Sequence, residues 1–370
     1  MRVLIAPDSF KDSLSALEVS DAINRGICEF FPDMDTILLP LADGGEGTLD
    51  AITTGLNGGL VSIMVSDPMF RDIKCVYGRF EHNAVIEMAK ASGLELLTSS
   101  DRNPLFTSSY GTGQLIRHAV AAGCTHLTIC IGGSATNDGG MGMLQALGYE
   151  FLDAVGQPVQ PIGQNLRYVS SISDRNVLPS LKGAVIKVAC DVSNPLLGSQ
   201  GATYVFGPQK GATRVAVEDL EFGTQNFARV TEKYLGHDFG QVPGAGAAGG
   251  LGFALVAFLG ATLCRGFELV SDQVALESKI RAADWVITGE GKLDATSLHG
   301  KVPQGVLSLA RKHNKPTTII CGTKGDGWEH FLSLGCSQIL ALTDYFDREY
   351  SLRQSRYALQ EICKHLDFNH

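Results

Sequence analysis

Ile131-Gly132-Gly133-Ser134-Ala135-Thr136-Asn137-Asp138-Gly139-Gly140 follows the apolar run His126–Ile131 and leads into Met141–Leu147. An apolar, β-branched run that ends in glycines and gives way to a helical pattern marks a strand-loop-helix unit. Glycines in such a loop let backbone N–H groups approach an anion closely. The segment is also compatible with a plain tight turn in which Asn137 or Asp138 caps the helix.

The same order recurs along the chain. Val3–Ala6 leads to Pro7-Asp8-Ser9-Phe10-Lys11, then to a helix over 15–30 with an apolar stripe through Leu17, Ala22, Ile23, Ile27 and Phe30. Thr36–Leu39 runs into Asp43-Gly44-Gly45-Glu46-Gly47-Thr48, and Trp285–Thr288 into Gly289-Glu290-Gly291-Lys292-Leu293-Asp294. Thr317–Cys321 and Ile339–Thr343 end in Gly322-Thr323-Lys324-Gly325-Asp326 and Asp344. Strands alternating with helices predict parallel sheets, with ligands beyond the carboxyl ends of the strands. Val61–Val65, Ile73–Phe80 and Ala84–Met88 have short connections and predict antiparallel hairpins. Phe151–Gly240 reads as looser, with isolated strands at Ala184–Cys190 and Thr203–Phe206. The expected fold is therefore α/β in two domains. A discontinuous Rossmann-like parallel α/β/α domain comprises 1–65 plus 270–370, and a mixed-sheet α/β domain at 66–269 is inserted into it, with an active-site cleft between them.

A chain of 370 residues suits two domains, since single cores stop growing near 250–300 residues. Its 44% hydrophobic and 19% charged residues describe a globular interior, and a net charge of −9 argues against nucleic acid or an anionic membrane as partner. The N-terminal apolar run is too short for a secretory signal, and Leu251–Cys264 falls short of the ~20 residues that span a bilayer. The nine cysteines include no CxxC pair, and Cys130, Cys190 and Cys321 read as buried thiols. A cytoplasmic protein is expected. These residues are compatible with a homodimer but do not specify an oligomeric state.

Several loops carry candidate chemistry. Gly132, Gly133, Ser134, Thr136 and Asn137 suit phosphate, and Gly289, Glu290 and Gly291 repeat that grammar. Asp43, Glu46 and Asp294 offer oxygen ligands of the kind Mg²⁺ takes alongside substrate phosphates. Asp8 and Ser9 are candidate substrate contacts, and Lys11 supplies a cation beside them. Asp191, at the end of an apolar run and ahead of Asn194-Pro195, is placed to orient and deprotonate a hydroxyl, with Asp138 as second candidate. An Asx turn explains Asp191 equally simply. Gly244-Ala245-Gly246-Ala247-Ala248-Gly249 matches a dinucleotide fingerprint, with Glu268 downstream, but Pro243 and the poor strand before it remove the required context. Close packing or the lining of a cleft suits those glycines better. There is no P-loop, and His299 is the one histidine near a rich loop.

Taken in order, these segments resemble the type-1 glycerate kinases. The blocks are Ala6–Lys11, Ala42–Thr48, Ile131–Gly140, Ala189–Val192 with Asn194-Pro195-Leu196, Val205–Ala212, Pro243–Gly250, and Ile287–Gly291 with Asp294. Departures are local: Met69-Phe70 stand where the family often shows Leu-Gly, and Thr296 where glutamine is frequent. The resemblance implies ATP- and Mg²⁺-dependent phosphorylation of D-glycerate by direct in-line transfer. The 2-phosphoglycerate product is favoured over the 3-phosphoglycerate. Arg71 would meet the glycerate carboxylate with its guanidinium fork, and Asn194 would be a further substrate contact. The rival readings are a nicotinamide-dependent dehydrogenase and a glycerate-binding protein without turnover. The abundance of carboxylates speaks against the second, because they repel an anionic ligand unless a metal intervenes.

Overall fold

The computed structural model describes every residue except Asn57, His299 and His370. The strands are β1 (Arg2–Ile5), β2 (Asp35–Leu38), β3 (Gly59–Ser66), β4 (Asp72–Phe80), β5 (Asn83–Glu87), β6 (His126–Cys130) and β7 (Glu150–Leu152), followed by β8 (Ser171–Ser173), β9 (Val185–Ala189), β10 (Thr262–Cys264), β11 (Trp285–Leu293), β12 (Thr317–Lys324) and β13 (Gln338–Ala341). Two compact units result: Met1–Asp43, Asp50–Asn57 and Arg265–His370 form the first, and Gly44–Leu49 with Gly58–Cys264 form the second.

The first unit is built on a parallel sheet in the order β13-β12-β11-β1-β2. Helices on both faces bury consecutive strand residues, which is why Val3, Leu4 and Ile5 are all inaccessible. Helix Ala16–Phe30 starts at a capping box in which Ser15 and Glu18 satisfy one another's backbone N–H. Its Val19, Ile23 and Ile27 pack with Trp285, Ile287 and Ile362.

In the second unit a mixed sheet runs β10-β9-β6-β5-β4-β3. The β3-β4-β5 part is antiparallel, as the short connections predict, and the remainder is parallel. Pairing with β4 along its whole length, from Gly59↔Arg79 to Ser66↔Asp72, places β3 in this sheet. The boundary drawn after residue 65 thus falls at the far end of a strand of the second unit. Thr203–Phe206 differs from the expected strand: Ala202–Phe206 is a helix, with Ala202 and Thr203 buried against its neighbours, so packing overrides β-branched propensity. The stretch read as loose also contains the 22-residue helix Arg214–Leu235, capped by Thr213. The apolar stretch Leu251–Cys264 is helical to Leu259, where Gly260 turns left-handed, and β10 follows. Among the described residues no helix is long and apolar enough to cross a membrane.

Candidate functional site

Two regions gather the predicted residues, one in each unit. In the first unit, β1 delivers Asp8 at its carboxyl end. The Asp8 N–H donates to Gly289 O at 2.8 Å, so the chain leaving β1 stays tied to β11. β11 itself continues through Gly289-Glu290-Gly291 to Leu293, with Gly289 opposite Ile320 and Glu290 opposite Cys321. The phosphate loop expected at Gly289, Glu290 and Gly291 is therefore strand. Gly289 is needed because a Cβ there would stand 2.0 Å from Ile320 O.

A cavity of about 330 Å³ opens beside these residues, lined by Asp8, Ser9, Lys11, Asp43, Glu290 and Lys301 among others. Asp8 is buried, and its carboxylate accepts from the adjacent Ser9 N–H at 2.6 Å. Burial, then the negative charge of Asp43, push its carboxyl up to about 7; Glu290 adds to the rise, while the Ser9 N–H and Lys11 oppose it. Glu290 is also buried and also raised, chiefly by desolvation. Its Oε1 has no hydrogen-bond partner among the described residues, and Lys301 Nζ lies 3.9 Å from Oε2. Unpartnered buried carboxylate oxygen is costly and suits a ligand or a cation. Among the described residues there is no preassembled group of three His, Cys, Asp or Glu side chains placed to hold a metal. Oxygen donors in the Asp8-Asp43-Glu290 set nonetheless fit Mg²⁺, which needs only one or two carboxylates when phosphates complete its shell.

The other predicted metal ligands are differently placed. Asp294 is bound by Lys292 Nζ at 2.8 Å and by the Thr296 N–H and hydroxyl at 2.9 and 2.6 Å, which hold its carboxyl far below the usual range. Glu46 is exposed and belongs to the second unit, whereas Asp43 belongs to the first.

In the second unit the loop 132–140 joins β6 to helix Met141–Ala146. Only its tip, Gly132 and Gly133, is exposed; Ser134 onward is buried. Asp138 is inaccessible, and its carboxylate accepts from the Ser109 N–H and hydroxyl and from the N–H groups of Gly140 and Gly142, all within 3.1 Å. The positive end of the following short helix is thus already engaged by Asp138, leaving the capping arrangement rather than a vacant anion site there. Asn137 donates to Thr203 Oγ1, and Thr136 O receives Lys210 Nζ at 2.7 Å. The dinucleotide-like glycines prove to be packing elements: a Cβ on Gly249 would stand 2.0 Å from Thr136 O, and Gly249 O accepts from Gly139 N–H.

The remaining candidates sit apart from this loop's interior. Asp191 is exposed just beyond β9. Asn194 donates to Gln200 O at 2.8 Å, holding its own turn. Arg71 is committed to Asp67 at 2.5 Å, Asp101 at 3.3 Å and Leu96 O. His299 lies outside the described residues. Sequence reading missed Lys301, Arg348 and Lys210; the first two line the cavity, and the third is buried beneath the glycine loop. The block Val205–Ala212 contains Lys210, but nothing in its composition distinguishes a buried lysine from a solvated one.

Known proteins resemble this chain over most of its length. The model of the glycerate kinase family matches residues 3–366. A glycerate 2-kinase of Escherichia coli K12 is 47% identical, with 88% of this chain and 86% of that protein covered. A glycerate kinase of Bacillus subtilis 168 is also 47% identical, over 87% and 85%. The crystal structure of a Salmonella typhimurium LT2 protein, provisionally designated glycerate kinase 2, superposes with a TM-score of 0.89 at 43% identity, covering 99% of this chain and 96% of that one. The chain is a kinase and belongs to the glycerate kinase family.

Proposed function

We propose that this enzyme transfers the γ-phosphoryl group of ATP to a hydroxyl of D-glycerate in a single in-line step in the cytoplasm. The family match supports the reaction, and the observation that carries the chemistry is the buried Asp8 carboxylate, which accepts from the Ser9 N–H at the wall of a cavity that Lys11, Lys301 and Arg348 also line. A buried carboxylate within hydrogen-bond reach of a substrate hydroxyl can orient it and take its proton. Asp8 therefore takes, in this reading, the hydroxyl-orienting role that strand position alone suggested for exposed Asp191. Asp138 has the contacts of a structural anchor, and Arg71 those of a loop clamp. Lys11, Lys301 and Arg348 line the same cavity and balance the anionic substrate. The exposed backbone at Gly132 and Gly133 is assigned to a nucleotide phosphate.

Asp43 and Glu290 are the residues proposed to hold Mg²⁺, with Asp294 already neutralised by Lys292. When bound, the ion offsets the charge on the phosphoryl oxygens. The designation of the Escherichia coli relative supports phosphorylation at the 2-hydroxyl. Purified protein with ATP, Mg²⁺ and D-glycerate tests the whole reading. The product's phosphorus resonance should be split by the single C2 proton into a doublet. A triplet from the C3 methylene would reassign the hydroxyl, and ATP loss without any phosphoglycerate would reject the function.

A further inference from the structure

Lys210 is 2% exposed, and its ammonium donates to Ser134 Oγ and to Thr136 O, each at 2.7 Å. Burying an ammonium is expensive, and a methionine of similar length would fill the space at lower cost. Desolvation pushes this lysine down to about 7, with Asp138 drawing it partly back. The chain nevertheless fixes it there: the turn Pro208–Lys210 ends at Gly211, whose φ is +95° and whose Cβ, if present, would stand 2.1 Å from Arg102 O.

In its ammonium form, which the Thr136 carbonyl and nearby Asp138 favour, Lys210 can only donate, so Ser134 Oγ is the acceptor in this contact. The serine's own hydrogen is thereby turned away from Lys210, and it has no acceptor among the described residues. Ser134 directly follows the exposed Gly132-Gly133 tip. We propose that Lys210 is a positioning residue that holds the Ser134 hydroxyl as a hydrogen-bond donor for the anionic phosphate group of the nucleotide at the loop tip. The assignment of that tip to nucleotide rests on the proposed function.

The test is calorimetric binding of ATP with Mg²⁺, in the absence of glycerate, alongside steady-state kinetics. K210M and S134A should each weaken ATP binding about tenfold and raise the KM for ATP in proportion, with a smaller change in kcat. S134T, which keeps the hydroxyl, should bind like the wild type, and K210M/S134A should be no weaker than the weaker single variant. S134A takes from Lys210 one of its two acceptors and should lower the unfolding temperature, so ATP binding is read below that transition, where S134A remains informative if K210M fails to fold. Unchanged ATP binding by S134A, multiplicative losses in the double variant, or a wild type that does not bind ATP would each overturn the proposal. ATP binding that responds as expected in a protein unable to phosphorylate glycerate would instead overturn the proposed function and leave this inference standing.

Discussion

Asp8 and Asp138 are both aspartates in loops at the carboxyl end of a parallel strand, and both are buried, yet their surroundings are opposite. Asp8 accepts a hydrogen bond from its own neighbour, Ser9, and faces Asp43, Glu290 and a cavity. Asp138 accepts four hydrogen bonds, from Ser109, Gly140 and Gly142, and faces no opening. The first carboxylate has capacity left for a ligand or a proton. The second has spent its capacity on the fold. An aspartate at a strand end therefore marks two different devices, and only the partners of the acid tell them apart.

Exchange of each acid for its amide should separate the two most widely. D8N is expected to lower kcat by about 10²–10⁴-fold, the usual range for a lost general base, while the protein remains folded. D138N presents an NH₂ to donors that need an acceptor and should lose about 3 kcal/mol of stability in urea unfolding. A D8N enzyme with wild-type kcat would break the comparison on one side. A D138N protein with an unchanged unfolding midpoint would break it on the other.

The pH dependence of stability sharpens the contrast through Asp8 and Lys210, measured with metal chelated. Asp8 rises from 3.8 unfolded to about 7 folded, so between those values the native state holds the extra proton. Its contribution is present below pH 3.8 and is lost as pH rises through 7. Lys210 falls from 10.5 to about 7, so its unfolded form holds the extra proton in that window. Its contribution is present above 10.5 and is lost as pH falls through 7. Wild type minus D8N should therefore decline with pH between 4 and 7, and wild type minus K210M should climb between 7 and 10. Each change should be on the order of 3 kcal/mol. Flat difference curves would show that neither charge is desolvated.

Much of the fold was legible because strand-loop-helix order and the short β3-β4-β5 connections are local signals. The helix Arg214–Leu235 was hidden because turns and prolines in the surrounding segment dominated its reading, and Ala202–Phe206 because burial overrode β-branched propensity. In the site, Asp8, Lys11 and Asp43 were readable as loop chemistry. Gly289–Gly291 looked like the same kind of loop, but the continuation of β11 depends on its ladder with β12, which sequence spacing does not encode. Lys210 was invisible for a related reason: burial arises from contacts with Ser134 and Thr136, 76 and 74 residues away.

Arg71 provides the finest test, because it is a cation that the family resemblance assigns to the substrate carboxylate. Its Nε meets Asp67 at 2.5 Å, and another nitrogen meets Asp101 at 3.3 Å. Asp67 also accepts from the backbone N–H groups of Met69 and Arg71, so the buried acid organises the turn and the arginine covers it. With its fork shared between two acids, Arg71 has little left to offer a third. R71A should raise the KM for D-glycerate less than about threefold, because the exposed pair contributes little. D67A removes the acceptor that orders the turn and should cost more stability than R71A. If R71A instead raised KM tenfold or more with unchanged stability, the fork would have to leave Asp67 for the substrate.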